Sequence, residues 1–132
     1  MEQTVMALPA KKILIIEDDE IMMDSLATLV RMDGYIATTA MGGAEGIRQA
    51  LRSRPDLILC DLLMPGVDGF AVLARLRAEA ATAKIPFIFV TSSNEERDSR
   101  VSFLLGATDY LTKPVDPEKL MSLIGQRLEP GE

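Results

Sequence analysis

The stretch Leu57-Ile58-Leu59-Cys60-Asp61 constrains this chain more than any other. Four uninterrupted apolar residues end on an acid, and the following Leu62-Leu63-Met64-Pro65-Gly66-Val67-Asp68-Gly69 breaks into turn chemistry. A run that short and that continuously apolar reads as a strand buried on both faces, the habit of parallel sheets. Asp61 then stands at the strand's C-terminal end, where open α/β sheets place their ligand sites.

The rest of the chain repeats the pattern. Ile13-Leu14-Ile15-Ile16 is a second apolar run, bounded by Glu17-Asp18-Asp19-Glu20, after which Met22, Leu26, Leu29 and Val30 recur at helical spacing up to Asp33-Gly34. Tyr35 to Thr39 reads as a weaker strand, and Ala44 to Leu51 as a helix closed by Arg54-Pro55. Past Gly69, Phe70, Leu73 and Leu76 step helically, and residues 78–83 read as a frayed end or loop. Pro86 to Val90 is a fourth strand. Thr91-Ser92-Ser93-Asn94 offers the cap of a helix with Glu95-Glu96 at its positive end, Val101, Leu104 and Leu105 along it, and Gly106 as its stop. Asp109 to Thr112 is a fifth strand, followed by Lys113-Pro114. Asp116-Pro117 then opens a last helix carrying Leu120, Leu123, Ile124 and Leu128. Five strands alternating with five helices predict an α/β fold with a parallel sheet covered on both faces. The length of 132 residues suits one domain. The expected organisation is a lead-in over residues 1–10, the domain over 11–128 and a tail over 129–132.

Several function classes drop out. No histidine and a single cysteine, Cys60, exclude a typical zinc site and an internal disulfide. Cys60 reads as a small buried hydrophobe. The net charge of −6, without any Lys/Arg run, disfavours direct nucleic-acid binding. No apolar stretch is long enough to span a bilayer, and residues 1–12 lack the pattern of a signal peptide, so a cytoplasmic protein is expected.

In a parallel sheet all strand C-termini lie along one rim. Glu17, Asp18 and Asp19, then Asp61, Thr91 and Lys113, follow the first, third, fourth and fifth strands and therefore face that rim together. Carboxylates about 4 Å apart repel by about 4 kcal/mol per pair at an effective dielectric near 20. A hard divalent cation such as magnesium, which takes carboxylate, water and phosphate oxygens, relieves that repulsion. Acid, metal, hydroxyl and lysine together describe a site for holding a phosphoryl group, whose transfer is mostly positioning and charge neutralisation. A carboxylate there can also be the nucleophile that accepts it.

With these motifs the chain resembles the receiver domain of bacterial two-component response regulators, over roughly Lys11 to Leu128. The residues that carry the resemblance are Ile13 to Asp19 (ILIIEDD), Leu59 to Gly69 (LCDLLMPGVDG), Val90-Thr91-Ser92, Gly106-Ala107 and Asp109 to Pro114 (DYLTKP). Thr91 and Lys113 fall at the intervals from Asp61 that the family requires. The resemblance implies a flavodoxin-like (βα)5 fold with strand order 2-1-3-4-5. It implies that Asp61 is the phosphoacceptor, that Asp18 ligates magnesium directly with Glu17 assisting through water, and that the Leu63 backbone carbonyl completes the protein's share. Thr91 would donate to one phosphoryl oxygen and Lys113 pair with another. Tyr110 falls at the family's switch position, and Lys113-Pro114 is expected cis.

The implied function is a signalling switch that takes a phosphoryl group from a histidine kinase or phosphotransfer protein and changes its partner-binding face. Its catalysis would be limited to self-phosphotransfer and autodephosphorylation. A downstream protein target and a phosphorylation-dependent dimer are the further associations that the resemblance admits. The chain reads either as a stand-alone regulator or as a receiver from a longer protein.

Some positions carry two readings. Asp19 is the competing register for Asp18. Tyr110 could simply be a strand aromatic packed in place, and Met22 and Met23 could be core or a docking surface for the kinase. Leu63 and Ser93, two residues beyond Asp61 and Thr91, would flank the path of an attacking water, and an apolar Leu63 would lengthen the phosphorylated state. The rival functions are a pseudo-receiver that no longer takes phosphate and a magnesium-dependent aspartyl phosphohydrolase. The hydrolase lacks support because Leu63 occupies the place of its second aspartate.

Overall fold

A computed structural model describes residues 9–128. Most of the expected lead-in and the whole tail lie outside the described residues. Ten elements alternate along the chain: β1 (Lys12–Glu17), α1 (Glu20–Met32), β2 (Ile36–Met41), α2 (Gly43–Ser53), β3 (Leu57–Cys60), α3 (Gly69–Arg77), β4 (Phe87–Thr91), α4 (Glu96–Leu105), β5 (Asp109–Thr112) and α5 (Pro117–Leu128). The sheet is parallel throughout and ordered β2-β1-β3-β4-β5, as the resemblance implied.

The uninterrupted apolar runs are explained by two cores, one on each face of the sheet. Alternate strand residues go to opposite sides, because successive side chains of a strand point to opposite faces. Ile13, Ile15, Leu57, Leu59, Ile88 and Val90 meet Met23, Leu26 and Val30 of α1 and Leu120 and Ile124 of α5. Leu14, Ile16, Ile58, Cys60, Phe87 and Phe89 meet Ala50 of α2 and Val72, Leu73 and Leu76 of α3. Phe89 lies edge-on to Phe70, Phe87 and Tyr110 at centroid distances of 5.9, 5.0 and 6.1 Å. Cys60 is buried in the second core, as expected of a small hydrophobe. Met23 is core and Met22 half-buried against it.

Several boundaries differ from the expected ones. β2 runs Ile36–Met41 rather than Tyr35–Thr39, because its pairing with β1 sets its length, from Lys12↔Ile36 to Glu17↔Met41. Tyr35 belongs instead to the turn closing α1, its N–H bonded to the Val30 carbonyl. Thr91 is the last residue of β4, paired with Thr112, and not part of a helix cap. The α4 N-cap is Glu95, which makes no side-chain capping bond. Of the apolar residues expected to seat α4, Val101 and Leu105 are half-buried, Leu105 against the second core, but Leu104 is 84% exposed, and the helix's fully buried residue is Ser102. Arg77 fastens the far end of this helix, its guanidinium donating to the Gly106 carbonyl at 2.9 Å and the Thr82 carbonyl at 3.3 Å. Among the described residues no helix is long and apolar enough to cross a membrane.

Candidate functional site at the sheet's C-terminal rim

Backbone pairing brings the polar residues to one rim. Glu17 ends β1. Asp61 follows β3 and donates its N–H to the Ile16 carbonyl at 3.0 Å, so it stays tied to the strand beside it. Thr91 ends β4, and the Lys113 N–H reaches its carbonyl at 2.7 Å, which carries the β5 ladder one residue further. Each functional side chain is therefore positioned by the sheet to within a residue. The Lys113–Pro114 bond is cis, as expected.

The rim is charged but largely buried. Glu17 is 1% and Asp61 6% exposed, and Thr91 is fully buried. Lys113 Nζ sits 3.1 Å from Glu17 Oε1 and 3.5 Å from Asp61 Oδ2, bridging the two carboxylates. The other Glu17 oxygen accepts the Asp19 N–H at 3.2 Å, and Asp61 Oδ1 accepts the Leu63 N–H at 3.3 Å. Carboxylate oxygens of Glu17, Asp18 and Asp61 all lie within 4.8 Å of one another. Asp18 is the exposed member. Burial, and then the neighbouring Asp61 charge, push the Glu17 carboxyl up to about 7 against the opposing pull of Lys113. One ammonium against three carboxylates leaves net negative charge in a mostly dry place. An all-oxygen donor set of this kind suits a hard cation such as magnesium.

Asp19 resolves differently. Its side chain accepts from the Ile21 and Met22 N–H groups at 3.0 and 3.3 Å and caps α1. A carboxylate spent on two orphan amides at a helix's positive end has a structural role. Asp18 is thus the residue of the acidic turn that joins the cluster.

The loop after Asp61 is held by its own residues. Leu62 and Met64 are buried, and Leu63 between them is 52% exposed, its side chain outside the core beside the acid. Gly69 closes the loop: its N–H donates to the Leu62 carbonyl at 2.9 Å. A Cβ there would fall 2.5 Å from the Asp61 carbonyl oxygen and 2.7 Å from the Phe89 ring, so only glycine fits so near the acid. The Cys60 thiol donates to the Asp61 carbonyl at 3.2 Å, and burial pushes its pKa up, which keeps it protonated.

Thr91 and Tyr110 share a partner that the sequence did not single out for this. The Ser93 N–H donates to Thr91 Oγ at 3.2 Å, which leaves the threonine hydroxyl proton available for another acceptor. Tyr110, half-buried, donates its hydroxyl to the Ser93 carbonyl at 2.9 Å. The Ser93 hydroxyl is turned to Asp98 on α4, donating at 2.6 Å. The five-residue spacing of Ser93 and Asp98 matches no standard capping pattern, so the sequence carried no signal for the pair.

The family model described as response regulator receiver domain matches residues 13–125. The DNA-binding dual master transcriptional regulator RpaA of Synechocystis is 41% identical over 113 residues, 86% of this chain and 47% of RpaA. Protein PilH of Pseudomonas aeruginosa is 38% identical over 113 residues, 86% of this chain and 93% of PilH. The chain thus spans about half the length of the first relative and nearly all of the second. A solved receiver domain of a Pseudomonas aeruginosa sensor histidine kinase, with a magnesium ion coordinated in its active site cleft, superposes with a TM-score of 0.85 at 27% identity. That match covers 92% of this chain and 100% of the other.

Proposed function

This chain belongs to the response regulator receiver domain family, and from that premise we propose that it is a phosphorylatable switch whose phosphoacceptor is Asp61. The observation that carries the reading is Lys113 Nζ standing between Glu17 and Asp61, with the Asp18 carboxylate completing the acidic cluster. A phosphoryl group on Asp61 brings close to two negative charges into a site that already has excess negative charge. Lys113 can follow that charge from Glu17 and Asp61 to a phosphoryl oxygen. Thr91 Oγ, already an acceptor from the Ser93 N–H, has its proton free to donate to another.

The residues present fit magnesium. Asp18 and Asp61 would ligate it, the Leu63 carbonyl would join them, and Glu17 would assist through water. Bound there, the ion would supply neutralisation of charge on the phosphoryl oxygens. The protein's own contribution is to hold the Asp61 oxygen in place through the Leu63 N–H and to keep the surroundings dry.

The donor in this reading is a phosphohistidine on a cytoplasmic histidine kinase or phosphotransfer protein. The phosphoryl group passes from the histidine nitrogen to the Asp61 oxygen, and water later attacks phosphorus to regenerate the carboxylate. Output passes through a protein target, with Tyr110 as the residue that reports the state of Thr91. Incubation with acetyl phosphate and magnesium should add one phosphoryl group, read by intact mass spectrometry, and Asp61→Asn should abolish the addition. Equal labelling of parent and variant would refute Asp61 as the acceptor.

A further inference from the structure

We infer that the Ser93–Asp98 hydrogen bond is the tie through which α4 registers the covalent state of Asp61, an inference that rests on the phosphoacceptor reading above. Ser93 joins three parts of the fold. Its N–H donates to Thr91 Oγ at 3.2 Å, and its carbonyl accepts from the Tyr110 hydroxyl at 2.9 Å. Its hydroxyl donates to Asp98 Oδ2 at 2.6 Å and accepts from the Glu95 N–H at 3.4 Å. Thr91 belongs to the rim, Tyr110 to β5 and Asp98 to the first turn of α4.

The tie matters because α4 has few other attachments. It buries Ser102, half-buries Val101 and Leu105 and leaves Leu104 in solvent, and its N-cap residue makes no capping bond. The Arg77 guanidinium holds the opposite end through the Gly106 carbonyl. A helix without a broad buried apolar stripe is positioned by such polar contacts. The Asp98 side chain is only 16% exposed, and the nearest cation is Arg97, 4.0 Å from its other oxygen. Its bond from the Ser93 hydroxyl is therefore a charge-assisted one in a partly dry place, stronger than a neutral pair.

The direction of transmission follows from the donors. When Thr91 donates its proton to a phosphoryl oxygen, its Oγ remains the acceptor of the Ser93 N–H. Movement of Thr91 toward Asp61 carries the Ser93 backbone with it, and the serine hydroxyl draws on Asp98. The same displacement moves the carbonyl that holds Tyr110. Helix and tyrosine thus respond together because one residue holds both.

Amide hydrogen exchange across α4, measured on the full chain with and without beryllofluoride and magnesium, tests this. Fluorine NMR reports whether Asp61 is loaded. In the loaded parent, α4 protection should change by at least about fivefold, the lower end of ordinary coupling between sites. In Asp98→Ala the change should fall below about twofold with Asp61 still loaded, and Asp98→Asn, which keeps an acceptor, should restore it. Ser93→Ala removes the donor, leaves the carboxylate in place, and should match Asp98→Ala; it carries the test if the latter fails to fold. A loaded parent with unchanged α4, alanine variants that respond like the parent, or an asparagine variant as silent as alanine would each overturn the inference. Failure of the parent to load would overturn the phosphoacceptor reading itself and the inference with it.

Discussion

Replacing Glu17 with glutamine should make the metal-free protein less sensitive to rising pH. Glu17 is 1% exposed, and its carboxyl is raised from an ordinary 4.5 to about 7, chiefly by burial and next by the Asp61 charge. The folded state therefore binds this proton more tightly than the unfolded chain does. Between pH 4.5 and about 7 the folded chain carries the extra proton, and stability falls as pH rises through that window. The shift corresponds to about 3 kcal/mol, present at low pH and lost above about 7. Glutamine has no proton to lose and keeps one acceptor oxygen, for either Lys113 or the Asp19 N–H, which use different oxygens of Glu17. Urea unfolding followed by circular dichroism, with a chelator present, should be run at pH 5 and pH 8. The parent should lose roughly 2–3 kcal/mol more than Glu17→Gln between the two values. Magnesium should return much of the parent's loss at pH 8 and less of the variant's, because the ion binds the ionised carboxylate. Stability curves that run parallel for parent and variant would refute the claim that burial and Asp61 control this carboxyl.

Neighbouring acids should separate by role. Asp19→Ala should cost about 1 kcal/mol through the lost α1 cap and leave magnesium affinity near the parent's, whereas Asp18→Ala should weaken magnesium binding with little effect on unfolding. Calorimetric titration and urea unfolding of both variants check this, and the opposite pattern would return Asp19 to the metal cluster. Gly125 lies within α5 with open space where a Cβ would go, so Gly125→Ala should raise stability by about 0.5–1 kcal/mol; an unchanged or lower melting temperature contradicts that. Gly46→Ala should destabilise by roughly 1–3 kcal/mol, since its Cβ would lie 2.6 Å from the buried Ile16 side chain. Leu63→Asn should shorten the lifetime of phosphorylated protein by admitting water beside Asp61, and a decay rate equal to the parent's would dismiss that role.

Much of the fold was legible because both faces of the sheet are covered. Continuous runs such as Ile13 to Ile16 and Leu57 to Cys60 have no wet side to alternate with, and their shortness rules out helices of ordinary length. The pattern failed where a neighbour sets the boundary. Tyr35 has the composition of a strand residue, yet the α1 turn takes its N–H and β1 pairs from Ile36 onward. Val101, Leu104 and Leu105 recur as a core-facing stripe should, and Val101 and Leu105 are half-buried, but Leu104 is exposed because α4 lies over the sheet's β5 side with little to cover it.

The rim and the loop beside it differ in the same way. Glu17, Asp61, Thr91 and Lys113 were readable because a strand end fixes where a side chain emerges, and the parallel topology then gathers all four without further information. Asp18 and Asp19 were ambiguous because both follow the strand, and only the first turn of α1 decides that Asp19 spends its carboxylate on the Ile21 and Met22 amides. Ser93 and Asp98 were unreadable because their meeting depends on the course of residues 92–95, which no ladder fixes. The distinction has a physical consequence. Substitutions at strand ends remove charge or a donor from the acid itself and should alter how readily Asp61 is loaded. Substitutions along the loop leave those groups in place and should alter what the rest of the fold does once it is loaded.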